Sequence, residues 1–131
     1  MYAMKNTNYD PNIFAKSTAI IKSLYGPNAS FRDGQYEAIE ATMTQNRTLV
    51  VQRTGWGKSL VYFVCTKLMR EQDRGVTMVV SPLLVLMENQ IEAAQKMGLR
   101  CDVLNSTVKD RKASILLALE QNELDLILVT P

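Results

Sequence analysis

From residue 48 onward, short apolar runs alternate with longer stretches in which apolar residues recur every three or four positions. Continuous apolar runs are typical of strands buried on both faces, and the second pattern is typical of amphipathic helices. The predicted strands are Thr48–Gln52, Val76–Val80, Cys101–Leu104 and Leu124–Val129. The predicted helices run from Lys58 to Glu71, from Leu83 to Met97 and from Ser106 to Gln121. This alternation predicts an α/β fold with a parallel sheet flanked by helices.

Two further helices are predicted before the first strand. Asp10-Pro11 has the pattern of an N-cap followed by proline at the first helical position, and it precedes a helix over Asn12–Leu24 that Gly26-Pro27 ends. A second helix is expected to begin near Asp33 and to end at Asn46, in the left-handed conformation that asparagine tolerates. The part of the chain before the sheet is thus predicted to be mainly helical.

Length and composition predict an ordinary soluble domain. The 131 residues are 47% hydrophobic and 21% charged, which excludes a disordered chain. No apolar run approaches the ~18 residues of a membrane span, and the N-terminus lacks the apolar core of a signal peptide. The net charge of +2 is too small to indicate nucleic-acid binding by itself. We expect residues 1–10 to form a flexible tail, residues 11–131 to form one domain, and the protein to be cytoplasmic.

The chain contains two cysteines and no histidine. Cys65 and Cys101 do not have the spacing of a metal site, and each falls in an apolar segment, so we expect buried free thiols. The absence of histidine excludes metal sites built on histidine and catalysis by Ser–His or Cys–His pairs.

The main chemical signal is a glycine-rich turn between the first predicted strand and an apolar helix, with the sequence Thr54-Gly55-Trp56-Gly57-Lys58-Ser59. Strand, glycine turn and helix in this order are the context that a phosphate-binding P-loop requires. Small residues let backbone N–H groups approach a polyphosphate, and the helix N-terminus adds partial positive charge. Lys58 is the candidate catalytic residue, because its ammonium group would reach the β- and γ-phosphates, and the Ser59 hydroxyl would bind Mg²⁺.

Two features depart from a complete P-loop enzyme. Gln52 stands where the usual pattern has its first glycine. Such an enzyme also needs a strand that ends in a carboxylate to hold Mg²⁺, whereas Asp102 and Asp125 stand near the starts of their predicted strands. We therefore expect a fragment that stops before the acidic motif, binds ATP and does not hydrolyse it efficiently.

Several stretches, in order, resemble motifs of the RecQ-like DNA helicases, a branch of superfamily 2. They are Phe31–Ile39 (motif 0, FRxGQxxAI), Thr54–Tyr62 (motif I, TGGGKSLCY), Val79–Gln90 (motif Ia, VVSPLxSLMxxQ), Leu104–Thr107 (LNST) and Leu128–Pro131 (the start of motif Ib). The resemblance covers roughly residues 13–131. Motif 0 together with motif Ia is far more specific than a P-loop alone.

The resemblance implies the first RecA-like domain of a helicase that couples ATP hydrolysis to 3′→5′ DNA unwinding, with a second RecA-like domain as its partner. The implied cofactors are ATP and Mg²⁺. The implied ATP-binding residues are Arg32, Gln35, Thr54, Gly55, Trp56, Gly57, Lys58, Ser59 and Leu60. The implied contacts to single-stranded DNA are Ser81, Pro82, Gln90 and Thr130.

Several alternatives stay open. Gln35 can accept and donate hydrogen bonds at once, which matches the N6 donor and N7 acceptor of adenine, but Arg32 and Gln35 could instead be exposed residues of a first helical turn. Trp56 is either a lid over the phosphates, a contact to the second domain, or a surface aromatic at the loop tip. The chain itself is either part of a helicase or a non-hydrolysing ATP-binding module; motif 0 argues against a P-loop kinase.

Overall fold

A computed structural model of the chain describes residues 10–131, so the predicted tail lies outside the described residues except for Asp10. The described chain forms α1 (Ile13–Tyr25), α2 (Gln35–Thr44), α3 (Lys58–Glu71), β1 (Thr77–Val80), α4 (Leu84–Lys96), β2 (Cys101–Leu104), α5 (Lys112–Glu120) and β3 (Leu126–Val129). It divides into two compact units, one extending to Leu68 and the other comprising Met69–Pro131, with the boundary inside α3.

The sheet lies in the second unit and is parallel, with the strand order β1-β3-β2. β3 is central because its apolar run can be buried on both faces: Leu126, Ile127 and Leu128 are each at most 1% exposed. Ile127 also packs with Ile115 of α5 and with Leu124 in one cluster. The predicted α/β fold with a parallel sheet flanked by helices is therefore confirmed.

β1 does not have the burial on both faces that its apolar sequence predicted. Its side chains alternate between half-buried and exposed, and Met78 and Val80 are 64% and 61% exposed. Successive side chains of a strand point to opposite faces, so one face of β1 is covered and the other is not. Of the described strands, only the central strand β3 has successive side chains buried on both faces.

The strand predicted over Thr48–Gln52 is wrong, because within residues 10–131 this segment pairs with no other strand. Leu49 and Val51 are 88% and 80% exposed. β-Branched residues favour strands mainly by packing on a half-buried pleated surface, and this segment contacts no such surface in the described chain. The P-loop is consequently preceded by an irregular segment instead of a strand.

Glycines stand at the end of α1 and at the start of α2, whereas the predicted end of α2 is wrong. Gly26, with φ +101°, follows α1, and Gly34, with φ +83°, is the N-cap of α2. Asn46 is not left-handed; α2 ends instead at Thr44, and its C-cap, Gln45, has an extended backbone. The prediction failed because Gln45 leaves the helix before Asn46 is reached.

The helix predicted over Ser106–Gln121 is interrupted. Residues Ser106–Arg111 form a 3₁₀ helix with a non-helical backbone at Val108, and only then does α5 begin. The Asn105 side chain accepts a hydrogen bond from the Thr107 N–H at 2.8 Å. A residue just before the predicted capping signature therefore caps the helix, because an asparagine side chain readily bonds a backbone N–H two residues on.

The two thiols are free, as predicted, but they are not equally buried. Cys65 is buried in α3, and burial raises the pKa of its thiol to about 12. Cys101 is half-buried, and burial also raises the pKa of this thiol. Neither environment produces the thiolate that a nucleophile needs.

Among the helices that the structure describes, none has the length and apolar character required to cross a membrane.

Asp125 forms the main ion-pair cluster of the second unit, immediately before β3. Its Oδ1 atom lies 2.8 Å from Arg70 Nε and 2.8 Å from Arg100 Nη2, and its Oδ2 accepts the Arg100 backbone N–H at 2.8 Å. Burial alone would raise the pKa of Asp125, but the hydrogen bonds from Arg100 and Arg70 outweigh it and hold the pKa well below its usual range. The cluster joins the start of β3 to α3 and to the start of β2.

We expect Asp125→Asn to lower the free energy of unfolding by about 2–3 kcal/mol at pH 7, because it leaves two guanidinium groups facing an uncharged amide. Urea denaturation measures the loss. Asp102→Asn is the matched control, since the ion pair of Asp102 with Arg111, at 3.0 Å, is more exposed and contributes less than about 1 kcal/mol. Equal losses in the two variants would contradict the assignment.

The same contribution depends on pH. Because the folded-state pKa of Asp125 is lowered, its stabilisation is complete above the ordinary carboxyl pKa of about 4 and is lost as the pH falls below it. The difference in stability between the parent chain and Asp125→Asn should therefore shrink between about pH 5 and pH 2.

Candidate nucleotide-binding site

The glycine-rich turn leads directly into α3, whose first residue is Lys58. The turn is closed by a hydrogen bond from the Trp56 N–H to the Arg53 carbonyl at 3.3 Å. Gly55 and Gly57 have φ values of +83° and +100°, which only glycine adopts without strain. The glycines of the predicted P-loop are thus required by its backbone.

Arg32 and Gln35, the two motif 0 residues predicted to bind the base, contact the backbone carbonyls of the P-loop. Arg32 Nη1 donates to the carbonyls of Gly55 and Trp56, at 2.7 and 3.3 Å. Gln35 Nε2 donates to the carbonyls of Trp56 and Gly57, at 3.2 and 3.3 Å. We call this set of contacts the clasp. It brings motif 0 and motif I together in the first unit.

Gln35 is the more enclosed of the two clasp residues. Its side-chain oxygen accepts the Arg32 backbone N–H at 2.8 Å, so both ends of the amide are hydrogen-bonded, and the residue is only 3% exposed. The alternative that Gln35 is an exposed first-turn residue is wrong; Arg32 does remain exposed. Gly57 permits this arrangement, because a Cβ atom there would lie 2.5 Å from Gln35 Nε2.

Trp56 connects the P-loop to the start of α2. The residue is 7% exposed, and its Nε1 donates to the Asp33 carbonyl at 2.9 Å. A Cβ atom at Gly34 would lie 3.5 Å from Trp56 Cζ2, so the ring also packs beside the N-cap of α2. The alternative that Trp56 is a surface aromatic at the loop tip is wrong. No side-chain pattern could have identified its acceptor, because the acceptor is a backbone carbonyl.

Lys58 is an exposed cation at the end of the loop. Its Nζ donates to the Arg53 carbonyl at 3.4 Å, across the turn that precedes α3. Ser59 and Leu60 follow in the first turn of α3 and are half-buried, and Thr54 is exposed. The predicted phosphate-binding residues are therefore neighbours around one turn, with the ammonium group of Lys58 accessible to an anion.

Two cavities of the first unit adjoin the clasp. One, of about 470 Å³, is bordered by Arg32, by the aromatic residues Phe14, Phe31 and Tyr36, and by Thr18, whose buried hydroxyl has no hydrogen-bond partner in the described chain. The other, of about 260 Å³, is bordered by Trp56 and the irregular segment 48–52. The contribution of α1 to the first cavity was not predicted, although Phe14 and Thr18 stand four residues apart and so share a helix face.

The predicted Mg²⁺ ligand is the hydroxyl of Ser59. Within residues 10–131, no group of three or more Cys, Asp or Glu side chains is placed to hold a metal ion. The Ser59 hydroxyl is a suitable Mg²⁺ ligand, but Mg²⁺ needs six oxygen ligands and commonly takes the others from substrate phosphates and water. A single protein ligand, the Ser59 hydroxyl, therefore fits a metal that arrives with a nucleotide.

The predicted DNA-contacting residues lie in the second unit. The Ser81 N–H donates to the Val129 carbonyl at 2.9 Å, so Ser81 and Thr130 follow neighbouring parallel strands at the carboxyl edge of the sheet. Pro82 is exposed beside them, and the N-cap of α4 has no side-chain hydrogen bond. Gln90 differs, because its side-chain oxygen is buried and has no partner among the described residues.

The sequence profile of the DEAD/DEAH box helicases matches residues 32–131, from motif 0 through the P-loop to the last residue. The chain belongs to the DEAD/DEAH box helicase family.

The similar helicases include several RecQ proteins. The ATP-dependent DNA helicase RecQ of Haemophilus influenzae is 37% identical over 122 residues, covering 91% of this chain and 19% of that protein. The RecQ protein of Pasteurella multocida is 38% identical, covering 70% of this chain and 14% of that protein. A putative ATP-dependent DNA helicase Q1 of Caenorhabditis briggsae is 39% identical, covering 77% and 16%. The resemblance to RecQ-like helicases is confirmed, and the chain spans a fifth or less of these relatives.

Substitution of two glycines of the P-loop tests whether the Gln35 contacts of the clasp stabilise the fold. Gly55→Ala meets open space and should lower the free energy of unfolding by about 1 kcal/mol, the cost of a positive φ angle. Gly57→Ala adds displacement of the buried Gln35 amide, and should cost about 1–3 kcal/mol more. Urea denaturation at pH 7 compares the two variants. Equal losses would show that the amide contacts contribute nothing to stability.

Proposed function

We propose that this chain binds ATP at the P-loop and that it forms part of a RecQ-like DNA helicase. The observation that carries the proposal is the clasp, since it joins two side chains suited to reading a base to the loop suited to holding phosphates. A P-loop alone is common to many nucleotide-binding proteins, whereas motif 0 in contact with it is specific to a narrower class. The family membership of the chain supports the same conclusion.

Adenine recognition is assigned to Arg32 and Gln35. A carboxamide offers one acceptor and one donor in the geometry that matches adenine N6 and N7. The guanidinium group of Arg32 can stack on a base or bond its edge. The cavity of about 470 Å³ that Arg32 borders has aromatic walls and a Thr18 hydroxyl that has no partner among the described residues, which suits a planar, polar ligand.

Phosphate binding is assigned to the turn and to the start of α3. Lys58 would exchange its long hydrogen bond to the Arg53 carbonyl for the β- and γ-phosphates. Thr54, Gly55, Trp56, Gly57 and Leu60 would contribute backbone contacts, and the N-terminus of α3 adds partial positive charge. Ser59 would give one ligand to the Mg²⁺ ion that accompanies ATP.

Single-stranded DNA is assigned to the carboxyl edge of the sheet. Ser81, Pro82 and Thr130 lie beside the uncapped N-terminus of α4, whose free N–H groups can bind a phosphate. The Gln90 side chain, whose oxygen is buried, would have to turn outward to join them.

In the whole protein, residues 11–131 would belong to the first RecA-like domain. ATP would close this domain on a second RecA-like domain around the DNA strand, and hydrolysis would drive 3′→5′ unwinding in the cytoplasm. The 131-residue chain itself should bind ATP without efficient hydrolysis, because its described strands end in Val80, Leu104 and Val129 and not in a carboxylate.

The alternative is an ATP-binding or interaction module that never hydrolyses ATP. The two proposals agree on binding by the isolated chain and differ in the full-length protein, where only a helicase shows DNA-stimulated ATP turnover.

The lone tryptophan lies inside the P-loop and reports on binding. We expect Mg-ATP to change the fluorescence of Trp56 in a saturable titration, and Lys58→Ala to weaken binding by about 10- to 100-fold, because a charge-assisted hydrogen bond is lost. Lys112→Ala, at an exposed lysine of α5, is the matched control and should leave the titration unchanged. A flat titration of the parent chain into the millimolar range would contradict the proposal.

We expect ATP turnover by the 131-residue chain to stay at the background level of the Lys58→Ala variant, with and without single-stranded DNA, because none of the described strands ends in a carboxylate that could position water. A phosphate-release assay compares the two proteins. Turnover above that background, or stimulation by DNA, would show that a catalytic carboxylate is present in the chain.

A further inference from the structure

The clasp occupies the amide atoms of Gln35 that base recognition requires. In the described structure the Gln35 oxygen accepts the Arg32 backbone N–H, and the Gln35 Nε2 group donates to two P-loop carbonyls. A base edge would need that oxygen as its acceptor and that nitrogen as its donor. Gln35 is 3% exposed, so it has no spare surface for a ligand. Base binding and the clasp therefore compete for one side chain.

Trp56 carries the largest share of the contacts between the P-loop and motif 0. Its carbonyl accepts from both Arg32 and Gln35, and its indole donates in the opposite direction to the Asp33 carbonyl. The indole bond is formed with the ring almost fully buried, where an unmade hydrogen bond is costly. The loop is consequently held from both sides at one residue.

We propose that Trp56 is a positioning residue that keeps the nucleotide site closed, with Arg32 and Gln35 bound to the P-loop, until a ligand that carries a base displaces them. The inference rests on the proposed ATP site. When the binding-competent state is only partly populated, the apparent affinity falls by that fraction. The Trp56–Asp33 hydrogen bond sets the fraction, whereas a ligand without a base leaves the clasp intact.

The test compares ATP with inorganic tripolyphosphate, which has the phosphates and no base. Calorimetric titration of the 131-residue chain gives both affinities. Trp56→Phe removes the indole donor and keeps an aromatic ring, and it should tighten ATP by about threefold to tenfold while changing tripolyphosphate by less than about twofold. Lys112→Ala, at an exposed lysine of α5 that the proposed site does not use, is the control; both affinities should stay unchanged.

The outcomes separate this inference from the proposed function. If the parent chain binds neither ligand, or if Lys58→Ala leaves binding intact, the ATP site itself is refuted. If ATP binds and Trp56→Phe leaves its affinity unchanged or weakens it, Trp56 does not hold the site closed. Equal tightening of ATP and tripolyphosphate would show that the indole bond restrains the phosphate cradle instead, and this too would overturn the proposal.

A second measurement needs no variant. In this proposal the clasp opens only when the Trp56–Asp33 hydrogen bond breaks, and this should expose the indole. ATP should therefore shift the Trp56 emission to longer wavelength, whereas tripolyphosphate at saturation should not. Identical spectra with the two ligands would overturn the proposal even if Trp56→Phe did not fold.

Discussion

The backbone carbonyls of the P-loop must find hydrogen-bond donors, and the structure of the first unit depends on how they do so. A loop with two glycines at positive φ turns several carbonyls in one direction, toward motif 0. Arg32 and Gln35 satisfy them, and the start of α2 is held in place in return. Motif 0 therefore has a structural role before any nucleotide is considered. The Gln35 Nε2 group that bonds the loop is also the group that would donate to a base.

The second unit follows a different principle, in which apolar burial in β3 is combined with one ion-pair cluster. The side chains of β3 occupy the centre of the sheet, where no polar residue could be satisfied. Asp125 stands one residue before this strand and binds two arginines from other elements. The charge is thus confined to the amino end of the sheet, which leaves the carboxyl edge, with Ser81 and Thr130, free of that cluster.

Local pattern was sufficient to predict much of the fold. The bounds of α3 agree with the prediction at both ends, because the glycine turn and the apolar period define them locally. The segment 48–52 was predicted wrongly because a strand depends on a partner, and no property of Leu49 or Val51 reveals whether one is present. The candidate site was predicted residue by residue, yet the clasp was not. Its acceptors are backbone carbonyls, which every residue possesses and no sequence motif distinguishes.

The position of the single tryptophan has a consequence for how the folding of this chain is measured. Because the indole sits between the P-loop and the start of α2, its emission reports the integrity of that junction and not of the sheet. Far-ultraviolet circular dichroism reports helices and strands in both units. Coincident unfolding curves from the two signals would indicate one cooperative transition, and separated curves would give the free energy of local opening at the nucleotide site directly. The native tryptophan that serves as the binding probe is thereby also a probe of cooperativity.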